Sequence, residues 1–196
     1  MPFTTVLLDL DGVVRHFDPT HRPGIERKYG LEPDILRPTA FEATLIDQVV
    51  TGAITRARWI EIIGERVGTI EAAAEWLGNR GAPDPEMLDE CDRLRAAGYT
   101  VTILTNGTDI IPDEMVELGI GERVDAVFNS WDIGHAKPDR RAFEHCVREL
   151  GVDPVDVFFT DDTESKLPGA IEIGMTARHF TGVEPFRSHL TELGIG

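Results

Sequence analysis

The stretch TTVLLDLDGVV, residues 4–14, decides the fold. Thr4 to Leu10 is β-branched and aliphatic, as a short buried strand is, and Asp11-Gly12 breaks it. Three later runs look alike: Tyr99 to Thr105 (YTVTILT), Ala126 to Asn129 (AVFN) and Val155 to Thr160 (VDVFFT), with a weaker fifth at Met175 to Phe180. Between them lie segments of helical period. In Pro85 to Ala97 the residues Leu88, Cys91, Leu94 and Arg95 share a face, and Gly98 closes the helix. Pro138 to Leu150 opens on proline and ends at Gly151, and Lys166 to Ile173 and Pro185 to Leu193 are shorter helical segments. Strands alternating with helices imply parallel βαβ units, hence an α/β fold: a Rossmann-like open parallel sheet with helices on both faces.

One stretch breaks the rhythm. From about Asp18 to Arg80 no strand pattern occurs; Thr55 can cap a helix through Val67 with Trp59, Ile62 and Ile63 on one face, and Ile70 to Leu77 is another helix. The expected organisation is an α/β core over residues 1–17 and 81–196, with residues 18–80 inserted as a small helical cap.

The length of 196 residues suits one medium domain carrying such an insert. Nineteen Lys plus Arg against 35 Asp plus Glu leave a net charge of −16, which argues against nucleic-acid or anionic-membrane partners. A small anionic substrate would need local positive charge or a metal ion to overcome that field. No run approaches the ~18 apolar residues of a membrane span, and Asp9 interrupts the apolar start too early for a signal peptide. Two cysteines, both in helical segments, make no disulfide framework and point to a reduced, cytoplasmic setting. The chain is expected to act as a monomer or homodimer.

In open parallel sheets, ligands bind beyond the carboxyl ends of the strands, and the chemically interesting residues collect there. Asp9 and Asp11 end the first strand, Thr105 and Asn106 the second, and Asp161 and Asp162 a later one, while Lys137 precedes a helix on the same side. Clustered carboxylates repel one another unless a cation neutralises them. Oxygen-only ligands suit Mg²⁺, which also accepts phosphate oxygens. A carboxylate can attack phosphorus and form an aspartyl-phosphate, while a Lys and a Thr hydroxyl hold the oxygens where charge builds up. The inventory fits phosphoryl transfer.

The same residues carry a resemblance. LLDLDGVV (7–14), ILTNGT (103–108), GHAKPDRRAF (134–143) and FFTDDTESKLPGA (158–170) resemble, in order, the four motifs of the haloacid dehalogenase-like (HAD) hydrolase superfamily. The helical segment after the first motif resembles its small C1-type cap, and the whole is most similar to the small-capped sugar-phosphatase branch that includes glucose-1-phosphate phosphatases. The resemblance implies a Mg²⁺-dependent phosphomonoester hydrolase acting on a small phosphorylated metabolite. It makes Asp9 the nucleophile and Asp11 the acid, then base. Asp9, the Asp11 backbone carbonyl and Asp162 would hold Mg²⁺, with Asp161 a further candidate ligand or an orienting group for Lys137. Thr105, Lys137 and the backbone amides near Asn106 and Gly107 would bind the phosphoryl oxygens. One position departs: Lys166 stands four residues after Asp162, where the family often has Asp or Asn. It implies either weaker support of the metal or an added positive charge near the phosphate.

Blander readings stand beside these. Asp-Gly is common at a strand-to-turn boundary and Asp before a helix is a common cap. Arg15 and His16 read equally as an exposed basic pair or as leaving-group contacts; His21, Arg22, Arg27 and Lys28 read as a solvated cap face, Trp59 and Trp76 as cap core, and Asp89, Asp92, Asp113 and Glu117 as acidic helix surface. Two other functions compete. Hydrolytic 2-haloacid dehalogenation needs neither metal nor an acid at Asp11. A non-catalytic phospho-receiver also combines Asp, Thr and Lys on a parallel sheet, but carries its acceptor on a later strand and lacks a helical insert.

Overall fold

The computed structural model describes residues 3–195. Its main sheet comprises β1 (Thr5–Leu8), β4 (Thr100–Thr105), β5 (Ala126–Asn129), β6 (Val157–Asp161) and β7 (Thr176–His179), all parallel, in the order β5-β4-β1-β6-β7. The α/β class and the open parallel sheet are as the sequence predicts. The first strand of the chain lies at the centre because all four of its residues are buried, as a strand covered on both faces requires. Its side chains alternate: Val6 and Leu8 join a core with Met87, Cys91, Leu94, Phe158 and Phe186, whereas Leu7 joins Leu104, Phe143, Cys146 and Phe159 on the other face. The helices α6 (Pro85–Ala96), α7 (Ile111–Glu117) and α11 (Val183–Glu192) supply the first face, and α9 (Arg140–Leu150) and α10 (Pro168–Glu172) the second.

Between the short antiparallel strands β2 (Arg15–His16) and β3 (Ala82–Pro83) runs a helical insert. It contains α1 (His21–Lys28), α2 (Leu36–Ala40), α3 (Ala43–Val50), α4 (Arg56–Val67) and α5 (Ile70–Leu77). These helices share their own core, including Leu36, Val49, Trp59, Ile63 and Ala72. Thr55 caps α4 as expected, its side chain accepting from Arg58 N, and Gly68 ends it in the left-handed region. The insert docks on the sheet edge beside α8 (Ser130–Ile133): Ser130 Oγ donates to Val50 O at 2.5 Å, and Trp131 Nε1 to Ile54 O at 3.3 Å.

Several boundaries move for local reasons. β1 ends at Leu8, because Leu10 O accepts from Val14 N and Arg15 N in a turn. α9 begins at Arg140 rather than Pro138, since the Asp139 side chain accepts from Arg141 N and acts as the cap. The segment predicted as one helix from Lys166 splits into a single 3₁₀ turn, Glu164–Lys166, and α10, where Pro168 lacks the N–H to continue the turn. Among the described residues no helix is long and apolar enough to cross a membrane.

Candidate active site

The floor of the site is built from strand ends. Asp9 follows β1 directly, its N–H donating to Thr160 O, while Asp161 closes β6 and Thr105 closes β4; all three are buried. Between them lies Lys137, its side chain 2 % exposed, with Nζ 2.5 Å from Asp9 Oδ1 and 2.7 Å from Asp161 Oδ2. The backbone of Lys137 is clamped as well. Its N–H donates to Asn106 Oδ1 at 2.8 Å, and its carbonyl accepts from Asn106 Nδ2 at 2.9 Å and from Lys166 Nζ at 3.1 Å. Asn106 therefore fixes the loop that presents Lys137.

The electrostatics follow from burial. Removal from water pushes the Asp9 carboxyl up to about 7; Lys137 pulls it down, while the charges of Asp161 and Asp11 raise it. For Lys137 burial alone would lower the ammonium, but Asp9 and Asp161 overcome that and hold it above its ordinary value. Lys166 is lowered by burial and by the Lys137 charge.

Asp9, Asp161 and Asp162 can each offer an oxygen within 4.8 Å of the others. Gly12 makes the approach possible. It sits at φ +89°, and a Cβ there would overlap the Asp162 carboxylate. Three clustered carboxylates with one ammonium between two of them are short of positive charge, and an all-oxygen donor set matches a hard divalent cation. The donor set fits Mg²⁺.

Asp11 is held apart from this cluster. Arg15 Nε donates to Asp11 Oδ1 at 2.6 Å, and Arg15 Nη1 to Glu114 Oε2 at 2.7 Å; Glu114 also accepts from Arg80 Nη1 at 3.0 Å. Arg15 is thus not half of an exposed basic pair; it is buried and tied to carboxylates on both sides. His16 pairs with Asp84 at 2.9 Å. Glu114 was missed in the sequence, yet a signal was there: it shares a helical face with Ile111 and Met115, which are buried with it.

Above the floor opens a cleft of about 1170 Å³ whose far wall is the insert. Asp9, Asp11, Thr105, Asn106, Lys137, Asp161 and Asp162 all line it, as does Lys166. Gly107 lines an adjoining chamber of about 550 Å³ and packs tightly against Ile111 and Asn129. His21, Arg22, Trp59 and Trp76 reach that chamber from the insert, although Trp59 is itself buried and donates Nε1 to Ala40 O. Cys91 and Cys146 are free and buried and neither lines the cleft, with burial pushing each thiol up to about 12.

Known proteins resemble this chain in sequence and fold. A (S)-2-haloacid dehalogenase 4A from Burkholderia cepacia is 32 % identical over 91 residues, 46 % of this chain; the match spans only 39 % of that relative's length. The phosphatase MT3486 of Mycobacterium tuberculosis is 26 % identical over 90 % of this chain and 87 % of its own. A solved HAD family enzyme of Bacteroides thetaiotaomicron, BT-2542, in complex with magnesium and inorganic phosphate, superposes with a TM-score of 0.74 at 24 % identity, covering 90 % of this chain and 93 % of that one. The family model described as haloacid dehalogenase-like hydrolase matches residues 3–174. With the fold and the ordered strand-end motifs in agreement, the chain belongs to the haloacid dehalogenase-like hydrolase family.

Proposed function

We propose that the chain is a Mg²⁺-dependent phosphomonoesterase acting on a small phosphorylated metabolite through an aspartyl-phosphate. The observation that carries this reading is the Lys137 ammonium lodged between Asp9 and Asp161 at the floor of the cleft. Asp9, with Lys137 bonded to its Oδ1, is the carboxylate that attacks phosphorus. As the phosphorus–oxygen bond to the alcohol breaks, Asp11 gives its proton to the departing oxygen. Asp11 then takes a proton from the water that hydrolyses the aspartyl-phosphate. Arg15 and Glu114 keep the Asp11 carboxylate pointed at one place through both steps. The Lys137 ammonium and the Thr105 hydroxyl hold the non-bridging oxygens, where preorganised charge is worth most. Mg²⁺, held by Asp9, Asp162 and the Asp11 backbone carbonyl, with Asp161 a further candidate, would supply the positive charge that the carboxylate cluster and the phosphate lack. The insert, as a cap over the cleft, excludes water from the first step.

The test is phosphate release from a simple aryl ester with Mg²⁺ and with EDTA, for wild type and Asp9→Asn. The expected result is release that needs both Mg²⁺ and Asp9, with a loss on the order of 10⁴-fold or more in kcat for the variant. An Asp9→Asn protein with full activity would sink the reading. The dehalogenase relative suggests attack on carbon instead. That chemistry has no use for Asp11, and EDTA-insensitive halide release from a 2-haloacid would favour it.

A further inference from the structure

Two cavities meet under the insert, and both have Asp11, Phe17, Arg37 and Phe41 in their walls. The inner one, about 550 Å³, has the size of a small-molecule site and has in its wall Asp11, the residue proposed to protonate the departing alcohol oxygen.

Its charge balance is unlike the rest of the molecule. Among the described residues, the Lys and Arg side chains in no ion pair are Arg27, Arg37, Arg56, Lys166 and Arg178. Arg37, Arg56 and Lys166 all lie on the walls of these two cavities. The carboxylates of the inner chamber are already engaged. Asp11 and Glu114 are bound to Arg15, and Asp18 accepts from the N–H and hydroxyl of Thr20. In a chain of net charge −16, guanidinium groups left over beside satisfied carboxylates are available to an anion that the protein does not supply. Arg56 is half-buried with a single side-chain bond, to Leu77 O.

The same walls are apolar. Phe17 and Phe41 are 44 % and 48 % exposed, and both border the two cavities. The Arg37 guanidinium stands 5.6 Å over the Phe41 ring, which meets Trp59 and Trp76 edge-on at 6.0 and 6.5 Å. His21, whose buried Nε2 has no hydrogen-bond partner, borders the inner chamber.

We propose that the substrate's alcohol part carries a second anionic group, a carboxylate or a further phosphate, on an apolar, ring-sized skeleton, with Arg37 and Arg56 receiving that anion while Phe17 and Phe41 line the skeleton. The proposal rests on the phosphomonoesterase reading and names the substrate class of that site.

The experiment compares phenyl phosphate with 4-(carboxymethyl)phenyl phosphate and 4-(phosphonomethyl)phenyl phosphate, whose methylene insulates the leaving oxygen from the added charge. The wild type is expected to favour at least one of the charged esters by about tenfold or more in kcat/KM, the scale of one charge-assisted hydrogen bond, with most of the gain in KM. Which of the two is favoured tells carboxylate from phosphate. Arg37→Glu should erase that preference, Arg56→Gln should reduce it, and Arg37→Lys should keep part of it. Arg27→Gln, at an unpaired cation lining neither cavity, should leave the ratio in place. Arg37 is exposed and makes no ion pair, so its replacement leaves folding intact; melting curves check this. Turnover of all three esters with equal kcat/KM, or a preference that survives both Arg37→Glu and Arg56→Gln, overturns the proposal while the phosphomonoesterase reading stands. No turnover of any ester overturns both.

Discussion

The floor and the wall of the cleft are built in opposite ways. On the floor, Lys137 is buried and bonded at its ammonium, its N–H and its carbonyl, and Asp161 is bonded through both carboxylate oxygens. On the wall, Phe17 and Phe41 stand half in solvent and Arg37 has no carboxylate partner. Groups that must be in place before the substrate arrives are held by the protein's own partners, which is what preorganisation means physically. Groups proposed to choose among substrates would be left for the ligand to satisfy.

The strongest way to break this comparison is Lys137→Ala. With the ammonium gone, two buried carboxylates lose their cation, so a stability loss of about 3–5 kcal/mol is expected by chemical denaturation. On the proposed mechanism a fall of about 10²–10³ in kcat should accompany it, because Lys137 would be a donor to the phosphoryl oxygens. A variant of normal stability would mean that the floor is not held together as described. Arg15→Met acts between the regions, since Arg15 lies in β2 yet orients Asp11. It should cost about 10–10² in kcat, the scale of a misplaced catalytic group, with KM moving less. Arg15→Lys should recover part of the loss, because one ammonium cannot reproduce the two-sided fork. The smallest effect is at the rim. The Asp139 carboxyl, held down to about 2 chiefly by its Arg141 hydrogen bond, caps α9. Asp139→Ala should cost about 1 kcal/mol at pH 7. Since the folded value lies below the ordinary 3.8, the wild-type advantage is fully present above that pH and fades as pH falls through about 2. Parallel urea titrations of both proteins between pH 7 and 2 measure the shrinking gap.

Legibility in the sequence followed the range of the interactions involved. The strands were readable because β-branched, apolar runs such as TVTILT are local signals, and the residues at their ends fell where parallel sheets put ligands. Asp9, Lys137 and Asp161 could be named without their distances. The Arg15–Glu114 pair could not, because its partners are 99 positions apart and each alone resembles an ordinary surface charge. The start of α9 was misplaced because Pro138 imitates a first helical residue while Asp139 does the capping. The weakly apolar TARH of β7 was the faintest strand signal, and only pairing with β6 defines it. The inner chamber was not readable, since it exists only where the insert meets α7 and the loop after β4.

The paired strands β2 and β3 have one more consequence. Arg15 lies opposite Pro83 and His16 opposite Ala82, so the chain leaves and rejoins the sheet at neighbouring points. A segment whose two ends are already joined side by side can be exchanged for another of different length without stretching the scaffold, because the gap it must bridge is fixed. On the proposed reading the insert would be a replaceable cassette beside the reaction centre, and a graft of a foreign insert between Phe17 and Gly81 would direct the same chemistry to a different molecule.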